Sequence, residues 1–173
     1  MKKQLKLQTM TDDKRFIKYA FLWIPCVILM DQLSKWYMIE KVLENTPFIK
    51  VNDYFNLVMT FNKGVSFSMF SDYGANGRLI LILVGTIITI ALLIWLWRAT
   101  NWMLGFGLAS IIGGAIGNLI DRFTHPGVID FIQVHWENHY WPAFNVADSF
   151  ITIGVGFIIV ESFVNHKGEK SVS

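Results

Sequence analysis

The segment 79–97, LILILVGTIITIALLIWLW, decides the fold class of this chain. Its nineteen residues contain no charged side chain, and Arg78 and Arg98 flank it. As an α-helix the segment is about 28 Å long, close to the hydrocarbon thickness of a bilayer, which is about 30 Å. The segment therefore predicts a helix that spans a membrane.

The composition of the whole chain agrees with a membrane location. Of the 173 residues, 53% are hydrophobic and 16% are charged, whereas an average soluble domain has about 25% charged residues. The net charge of +2 is too small and too dispersed for a nucleic-acid-binding surface. Cys26 is the only cysteine, which excludes an intrachain disulfide and a multi-cysteine metal site. We expect a single membrane domain over residues 1–173, with no metal and no cofactor.

Three further segments reach membrane length. A short turn at 99–101 joins the first segment to the next apolar stretch, so the two must form an antiparallel hairpin. The other two contain acids, Asp31 and Asp148. Because no small-residue cleavage site follows the first apolar stretch, we interpret it as a retained helix and not as a signal peptide. The prediction is a mainly α four-transmembrane-helix bundle, with helices at about 19–39, 79–97, 101–121 and 145–164.

The distribution of basic residues predicts the orientation of these helices. Four spans put both termini on the same side of the membrane. Lysine and arginine are concentrated before residue 19, at Arg98 in the short turn and in the tail, at Lys167 and Lys170. The positive-inside rule therefore predicts cytoplasmic termini and two outward connections, at about 40–78 and 121–147.

The first outward connection has the pattern of a small β-sheet. Apolar residues alternate with mostly polar ones over 55–61 and again over 65–69, which is a strand-like period of two. Residues 71–77 are rich in Gly, Asp and Asn and predict a loop. We expect a β-rich connection at about 48–77 that rests on the outer membrane surface, and an outer loop at about 122–144.

Charged residues at membrane depth are functional candidates, because burying a charge in hydrocarbon costs at least about 2.5 kcal/mol. Asp31 and Lys35 have i, i+4 spacing and share a helix face, so they can form an ion pair. A structural salt bridge is one interpretation of this pair, and a contribution to a functional site is the other. Ala109, Gly113 and Gly117 recur every four residues, which favours close helix packing. Asn118 is expected to form a hydrogen bond between helices.

Asp121, Asp130 and Asp148 are expected at the same outer end of the bundle. Arg122 adjoins Asp121 and can neutralise one acid, which leaves two. Two close carboxyl groups in a low-dielectric site cannot both ionise easily, so one keeps its proton and the pair supplies a general acid and a general base. Aspartic proteases use such a pair to activate water without a metal.

Both members of that pair also have structural interpretations. Asp148 lies three residues after Asn145, the spacing at which Asn145 caps a helix and Asp148 occupies a favoured position in its first turn. Asp130 can be a solvated loop acid, although its apolar neighbours, Ile129 and Phe131, favour a partly buried carboxyl group. The spacing alone leaves capping and catalysis equally open for Asp148.

Five blocks, in order along the chain, carry a family resemblance. They are Asp31-Gln-Leu-Ser-Lys35, Asn62-Lys-Gly64-Val-Ser-Phe67, Gly114-Ala-Ile-Gly-Asn118-Leu-Ile-Asp121-Arg122, Gly127-Val-Ile-Asp130-Phe131 and Phe144-Asn145-Val-Ala-Asp148-Ser149. With these blocks the chain resembles the lipoprotein signal peptidase (signal peptidase II) family. One departure is that Val65 and Ser66 stand where the family often has alanine.

The resemblance implies an aspartyl endopeptidase of the bacterial inner membrane, with four transmembrane helices and a small extramembrane β-cradle. It implies that Asp130 and Asp148 are the catalytic pair. The residues implied to shape or support the site are Asn62, Gly64, Asn118, Asp121, Arg122 and Asn145, with Asp31 and Lys35 at its edge. The implied substrate is a diacylglyceryl-modified prolipoprotein in the lipid membrane, cleaved immediately before its lipidated cysteine. The implied inhibitor is the cyclic peptide globomycin, and a monomer is the expected state.

Two other classes of function are compatible with acids in a helical bundle. A small proton- or ion-coupled transporter requires acids distributed across the bilayer, whereas the sequence concentrates them at one end and has Glu161 near the other. If the chain is a purely structural membrane protein, replacing the acids changes only its stability.

Overall fold

The computed structural model describes residues 15–64 and 74–170. The elements are α1 (Arg15–Tyr37), a π-helical turn (Met38–Val42), β1 (Phe48–Lys50), β2 (Phe55–Asn62), α2 (Gly74–Trp97), α3 (Trp102–Thr124), β3 (Val128–Trp136), β4 (His139–Tyr140) and α4 (Val146–Lys170). The basic leader before residue 15, the alternation over 65–69 and the departure at Val65 and Ser66 lie outside the described residues.

Within the described ranges, four helices are long and apolar enough to cross a membrane. The helix α3 is the most buried of them and packs against the other three. Large apolar side chains on α2 point away from the protein; Ile87, for example, is 65% exposed. Because such exposure is tolerated in hydrocarbon, these side chains face lipid. The four-helix fold predicted from the sequence is confirmed.

Small residues on two faces of α3 allow its neighbours to approach closely. A Cβ atom added at Gly113 would lie 2.7 Å from the Cβ atom of Val27 on α1. On another face, a Cβ atom at Gly114 would collide with the Ala147 carbonyl oxygen on α4. Without a hydrophobic driving force between helices in lipid, such close packing is a main source of association.

The helix α2 begins at Gly74 and not at Leu79, so the loop predicted at 71–77 is wrong for its second half. Arg78 explains the longer helix. Its guanidinium group donates hydrogen bonds to the carbonyl oxygens of Arg122, at 2.5 Å, and Phe123, at 2.9 Å, in the last turn of α3. This tertiary contact holds the first turns of α2 against α3 despite the low helix propensity of glycine.

Over the part of the chain that the structure describes, the sheet contains four antiparallel strands in the order β1-β2-β3-β4. The small sheet was expected, but the prediction of an outer loop at about 122–144 is wrong, because β3 and β4 come from this connection. Ile129 and Phe131 of β3 bury their side chains against Leu43. Since residues 128–131 are all buried, the strand lacks the alternating pattern by which strands are recognised.

Replacing Gly114 by alanine tests the contact between α3 and α4. The added Cβ atom meets the backbone of Ala147, which cannot move aside as a flexible side chain can. We expect a loss of about 1–3 kcal/mol of stability, as overpacking usually causes. Thermal unfolding of the purified protein in detergent measures it.

Gly156→Ala is the matched control, because no atom lies within 4 Å of the Cβ position at Gly156. Alanine has the higher helix propensity, so this variant should lose no stability. Equal melting temperatures for the two variants would contradict the packing contact.

Candidate active site

A buried lysine lies between two buried carboxylates at one end of the bundle. The Nζ atom of Lys35 is 2.7 Å from Asp31 Oδ2 and 2.7 Å from Asp121 Oδ2. The three side chains are at most 2% exposed. The i, i+4 pair expected on α1 is present, and Lys35 is also the cation that contacts Asp121 directly. Arg122, which adjoins Asp121, interacts with it through its charge. This cluster joins α1 to α3.

The two carboxylates of the cluster also hold the starts of two other elements. Asp31 Oδ1 accepts a hydrogen bond from the backbone N–H of Ala147, in the first turn of α4, at 2.9 Å. Asp121 Oδ2 accepts one from the backbone N–H of Ile129, in β3, at 3.0 Å. The N–H groups at a helix start have no partner within the helix, so a buried acceptor there is stabilising. The cluster therefore connects α1, α3, α4 and β3.

Two asparagines link this cluster to Asp148 and Asp130. Asn118 Oδ1 accepts hydrogen bonds from Lys35 Nζ at 3.2 Å and from Asn145 Nδ2 at 3.1 Å. The Nδ2 group of Asn118 donates to Asp148 Oδ1 at 2.8 Å, and that of Asn145 donates to Asp130 Oδ1 at 2.8 Å. The side chain of Asn118 thus has a partner at both ends.

The start of α4 forms a capping box. Asn145 Oδ1 accepts a hydrogen bond from the backbone N–H of Asp148 at 2.9 Å, and Asp148 Oδ2 accepts one from the backbone N–H of Asn145 at 3.3 Å. Asp148 therefore does take part in capping α4. Its carboxyl group is also available for catalysis, because it is only partly buried and lines a groove.

Asp130 is a buried carboxyl group and not a solvated loop acid. It lies in β3, is 1% exposed, and accepts hydrogen bonds from Asn145 and, at 3.0 Å, from Asn62 Nδ2. Burial raises the pKa of Asp130 to about 6, with a smaller contribution from the negative charge of Asp148. The hydrogen bond from Asn62 acts in the opposite direction and limits the rise of this pKa.

Asn62 is oriented by a turn that requires glycine. Its Oδ1 atom accepts a hydrogen bond from the backbone N–H of Gly64 at 2.9 Å, which leaves the Nδ2 group for Asp130. Gly64 has a φ angle of +89°, in the region that residues with a Cβ atom rarely adopt. A Cβ atom there would also lie 2.7 Å from Leu81 Cδ1.

Arg122 lies beside the acids without an ion pair to Asp121 among the described contacts. Its guanidinium group donates to the Asn118 carbonyl oxygen at 3.0 Å, and its charge interacts with those of Asp121, Asp148 and Asp130. All ten residues singled out from the sequence therefore lie in or next to one network. Within the described ranges, no cluster of three or more His, Cys, Asp or Glu side chains is arranged to hold a metal ion.

Two grooves meet at the acids. The α4 groove, of about 730 Å³, contains Asp148 and continues along α4 past Thr152 and Ile153. The sheet groove, of about 550 Å³, contains Asp130 and continues over β2 and β3. The residues that line both are Asn62, Pro142 and Ala143.

Sequence reasoning missed several residues around the site. Gln32 lies in the cluster, with its Nε2 group 3.0 Å from Asp121 Oδ1 and 3.1 Å from Asp31 Oδ2. Pro142 and Ala143 line both grooves, and Gln133 lines the sheet groove. Gln32 adjoins Asp31 in the sequence, which is a weak signal. The others come together only through the pairing of β2, β3 and the segment before α4.

Replacing Lys35 by methionine tests the buried cluster. The substitution leaves the carboxylates of Asp31 and Asp121 buried without their cation, and breaking a buried ion pair in this way costs about 3–5 kcal/mol. We expect a clearly lower melting temperature in detergent. Lys50→Met is the control, because Lys50 pairs with Asp53 on the exposed surface and should leave the melting temperature unchanged. Similar melting temperatures for the two variants would refute the structural importance of the cluster.

Comparisons with known proteins show which proteins this chain is similar to. The chain is 38% identical to the lipoprotein signal peptidase of Pseudomonas putida, with 91% of this chain and 95% of the relative covered. It is 35% identical to that of Pseudomonas aeruginosa, with 94% and 98% covered. A bacterial membrane enzyme solved by the in meso method at 2.3 Å resolution is 27% identical and gives a TM-score of 0.74. The match covers 88% of this chain and 92% of that enzyme.

A second bacterial membrane enzyme, solved by the in meso method at 1.9 Å resolution, gives a TM-score of 0.71 at 29% identity, with 84% of this chain and 93% of that chain covered. The family model of signal peptidase (SPase) II matches residues 23–164. Four membrane-spanning helices and this family fit a multi-pass protein of the bacterial inner membrane. The chain therefore belongs to the signal peptidase II family, the membrane aspartic peptidases that remove signal peptides from prolipoproteins.

Proposed function

We propose that the chain cleaves diacylglyceryl-modified prolipoproteins immediately before the lipidated cysteine, and that Asp130 and Asp148 act on a water molecule as an acid/base pair. The observation that carries the proposal is the position of Asn145. This one residue donates to Asp130 through its side chain and to Asp148 through its backbone N–H. It therefore links two carboxyl groups that come from different elements and line adjoining grooves.

The proton balance of the reaction uses both carboxyl groups. The ionised Asp148 accepts a proton from water, and the water oxygen attacks the scissile carbonyl carbon. Asp130 donates its proton to the carbonyl oxygen, which gives a tetrahedral diol. Asp148 then returns its proton to the cysteine nitrogen as the C–N bond breaks, and Asp130 regains a proton from a hydroxyl group. The products are the carboxyl end of the signal peptide and the free amine of the lipidated cysteine.

The environments of the two carboxyl groups support this division of roles. Burial raises the pKa of Asp130 to about 6, so Asp130 holds a proton below that pH. Asp148 lies in the first turn of α4, where the partial positive charge of the helix N-terminus stabilises a carboxylate. Two carboxyl groups whose environments differ in this way are the usual arrangement of an acid/base pair.

The α4 groove supports a lipidated substrate. It continues past Ile153, which is 51% exposed on a helix long enough to span the membrane, so it opens toward lipid. A substrate that arrives from the bilayer keeps its acyl chains in an apolar environment, where each buried CH₂ contributes about 0.8 kcal/mol. A globomycin-type cyclic peptide that occupies this groove would compete with the substrate.

We further propose that both termini are cytoplasmic, that the acids lie near the outer face, and that the protein acts as a monomer. An even number of spans keeps the termini on one side, and Arg98 lies in the turn between α2 and α3, at the end of the bundle opposite to the acids. The transporter alternative is not favoured, because the described buried acids are all at one end.

Replacing Asp130 or Asp148 by asparagine tests the acid/base pair. Each substitution keeps the size of the side chain but removes its ability to exchange a proton. We expect kcat to fall by at least about 10²-fold for either variant, with a folded protein by thermal unfolding. Cleavage of a diacylated precursor peptide in detergent measures the rate.

Asp53→Asn is the matched control, because Asp53 is an exposed acid in the turn between β1 and β2 and should not affect cleavage. Near-normal cleavage by Asp130→Asn or by Asp148→Asn would disprove the assignment of the pair.

The pH dependence of kcat/KM tests the role of Asp130 as the acid. As the pH rises through about 6, Asp130 loses the proton that it must donate, so kcat/KM should fall on the alkaline side. Asn62→Ala removes a hydrogen bond that lowers this pKa, so the fall should move to higher pH.

Asn52→Ala is the control for this shift. Asn52 accepts a hydrogen bond from the backbone N–H of Tyr54 at an exposed turn and should not change the profile. An alkaline limb that stays at the same pH in Asn62→Ala would contradict the role of Asn62 and Asp130.

A further inference from the structure

The sheet groove owes its shape to a bulge in β2. The register between β2 and β3 shifts between Leu57 and Thr60, because β2 has one residue more than β3 over this stretch. Bulges re-aim side chains and are frequent beside active sites. Here Met59 packs into the core, whereas Val58 and Thr60 both line the groove, and Thr60 lies opposite Asp130.

Gln133 provides a polar group in the wall of this groove. Asn56, which is 2% exposed, donates from Nδ2 to Gln133 Oε1 at 3.3 Å and so orients the glutamine side chain. Among the described contacts, the Nε2 group of Gln133 has no acceptor. A carboxamide N–H₂ group at the edge of a groove can donate a hydrogen bond to a main-chain carbonyl oxygen.

We propose that the sheet groove binds the main chain of the residues that immediately follow the lipidated cysteine, with Val58 and Thr60 as its floor and Gln133 as its hydrogen-bond donor. The inference rests on the proposed function and extends it from the scissile bond to the mature part of the substrate.

The direction of the substrate follows from the surroundings of the two grooves. The α4 groove passes Thr152 and Ile153 on a membrane-spanning helix, so it suits the apolar parts of the substrate. The sheet groove lies on β2 and β3, outside the membrane-spanning helices. It therefore suits the polar part of the substrate that leaves the membrane. The two grooves share Asn62, Pro142 and Ala143, so a substrate in both grooves has its scissile bond beside Asp130 and Asp148.

The test compares two synthetic substrates that share a signal peptide and a dipalmitoylglyceryl cysteine. One ends at the cysteine as an amide, and the other continues with several polar residues. The wild-type protein should cleave the longer substrate with the higher kcat/KM. Val58→Trp fills the sheet groove, so the ratio of the two kcat/KM values should fall about tenfold, toward one.

Val134→Trp is the matched control. Val134 is 39% exposed on β3 and is not among the residues that line either groove, so the ratio should stay at its wild-type value. An unchanged ratio in Val58→Trp would overturn the inference, as would a wild-type ratio of one. Failure of the wild-type protein to cleave either substrate would instead refute the proposed function.

Photo-crosslinking keeps the inference testable if Val58→Trp does not fold. A benzoylphenylalanine replaces Phe61, an aromatic residue that lines the sheet groove and is 39% exposed, in a protein that also carries Asp148→Asn to prevent turnover. This protein is irradiated with the longer substrate. We expect the crosslink to map to residues after the cysteine. A crosslink on the signal-peptide side of the cysteine would contradict the proposed direction of binding.

Discussion

The contact of Lys35 with two carboxylates is the interaction on which the other parts of this structure depend. Removing three charges from water is costly, and a buried ion pair is stable only when further hydrogen bonds satisfy its atoms. Here Asp31 obtains such a bond from the start of α4, and Asp121 obtains one from β3. The charges are therefore buried only if α1, α3, α4 and β3 come together. One lysine thus couples the packing of the helices to the position of the sheet.

The amide groups of Asn118 and Asn145 connect this cluster to Asp148 and Asp130 by hydrogen bonds, and these amide groups carry no full positive charge. An amide donor stabilises a carboxylate by a hydrogen bond, but it does not form an ion pair with it. Asp130 can therefore keep a pKa of about 6, because the effect of burial exceeds that of its two amide donors. A lysine in the place of Asn145 would favour two ionised carboxylates, and a pair without a proton cannot act as an acid.

The site also lies at a boundary between two environments. The α4 groove opens along a helix that faces lipid, and the sheet groove lies over strands outside the spanning segments. A lipidated peptide has the same division, with acyl chains and an apolar signal peptide on one side and a polar chain on the other. The bulge in β2 and the capping box of α4 bring the acids to the point where the two grooves meet.

The amino-acid sequence by itself determined the features that depend on local spacing. The uncharged run at 79–97 predicted a spanning helix, the i, i+4 spacing of Asp31 and Lys35 allowed an ion pair, and the spacing of Asn145 and Asp148 allowed a helix cap. The first depends on a continuous stretch of the chain, and the other two are contacts within about one helical turn, so local spacing is enough to indicate all three. The ordered motifs added the family and its implied site residues.

Only the tertiary structure decided the features that depend on distant segments. It placed Lys35 in direct contact with Asp121, made β3 a strand of the sheet, and buried Asp130. These outcomes depend on which segments pack together, and burial on both faces removes the alternating pattern that marks a strand. The sequence thus specified which carboxyl groups were available, whereas packing decided which of them were neutralised and which two were left beside the grooves.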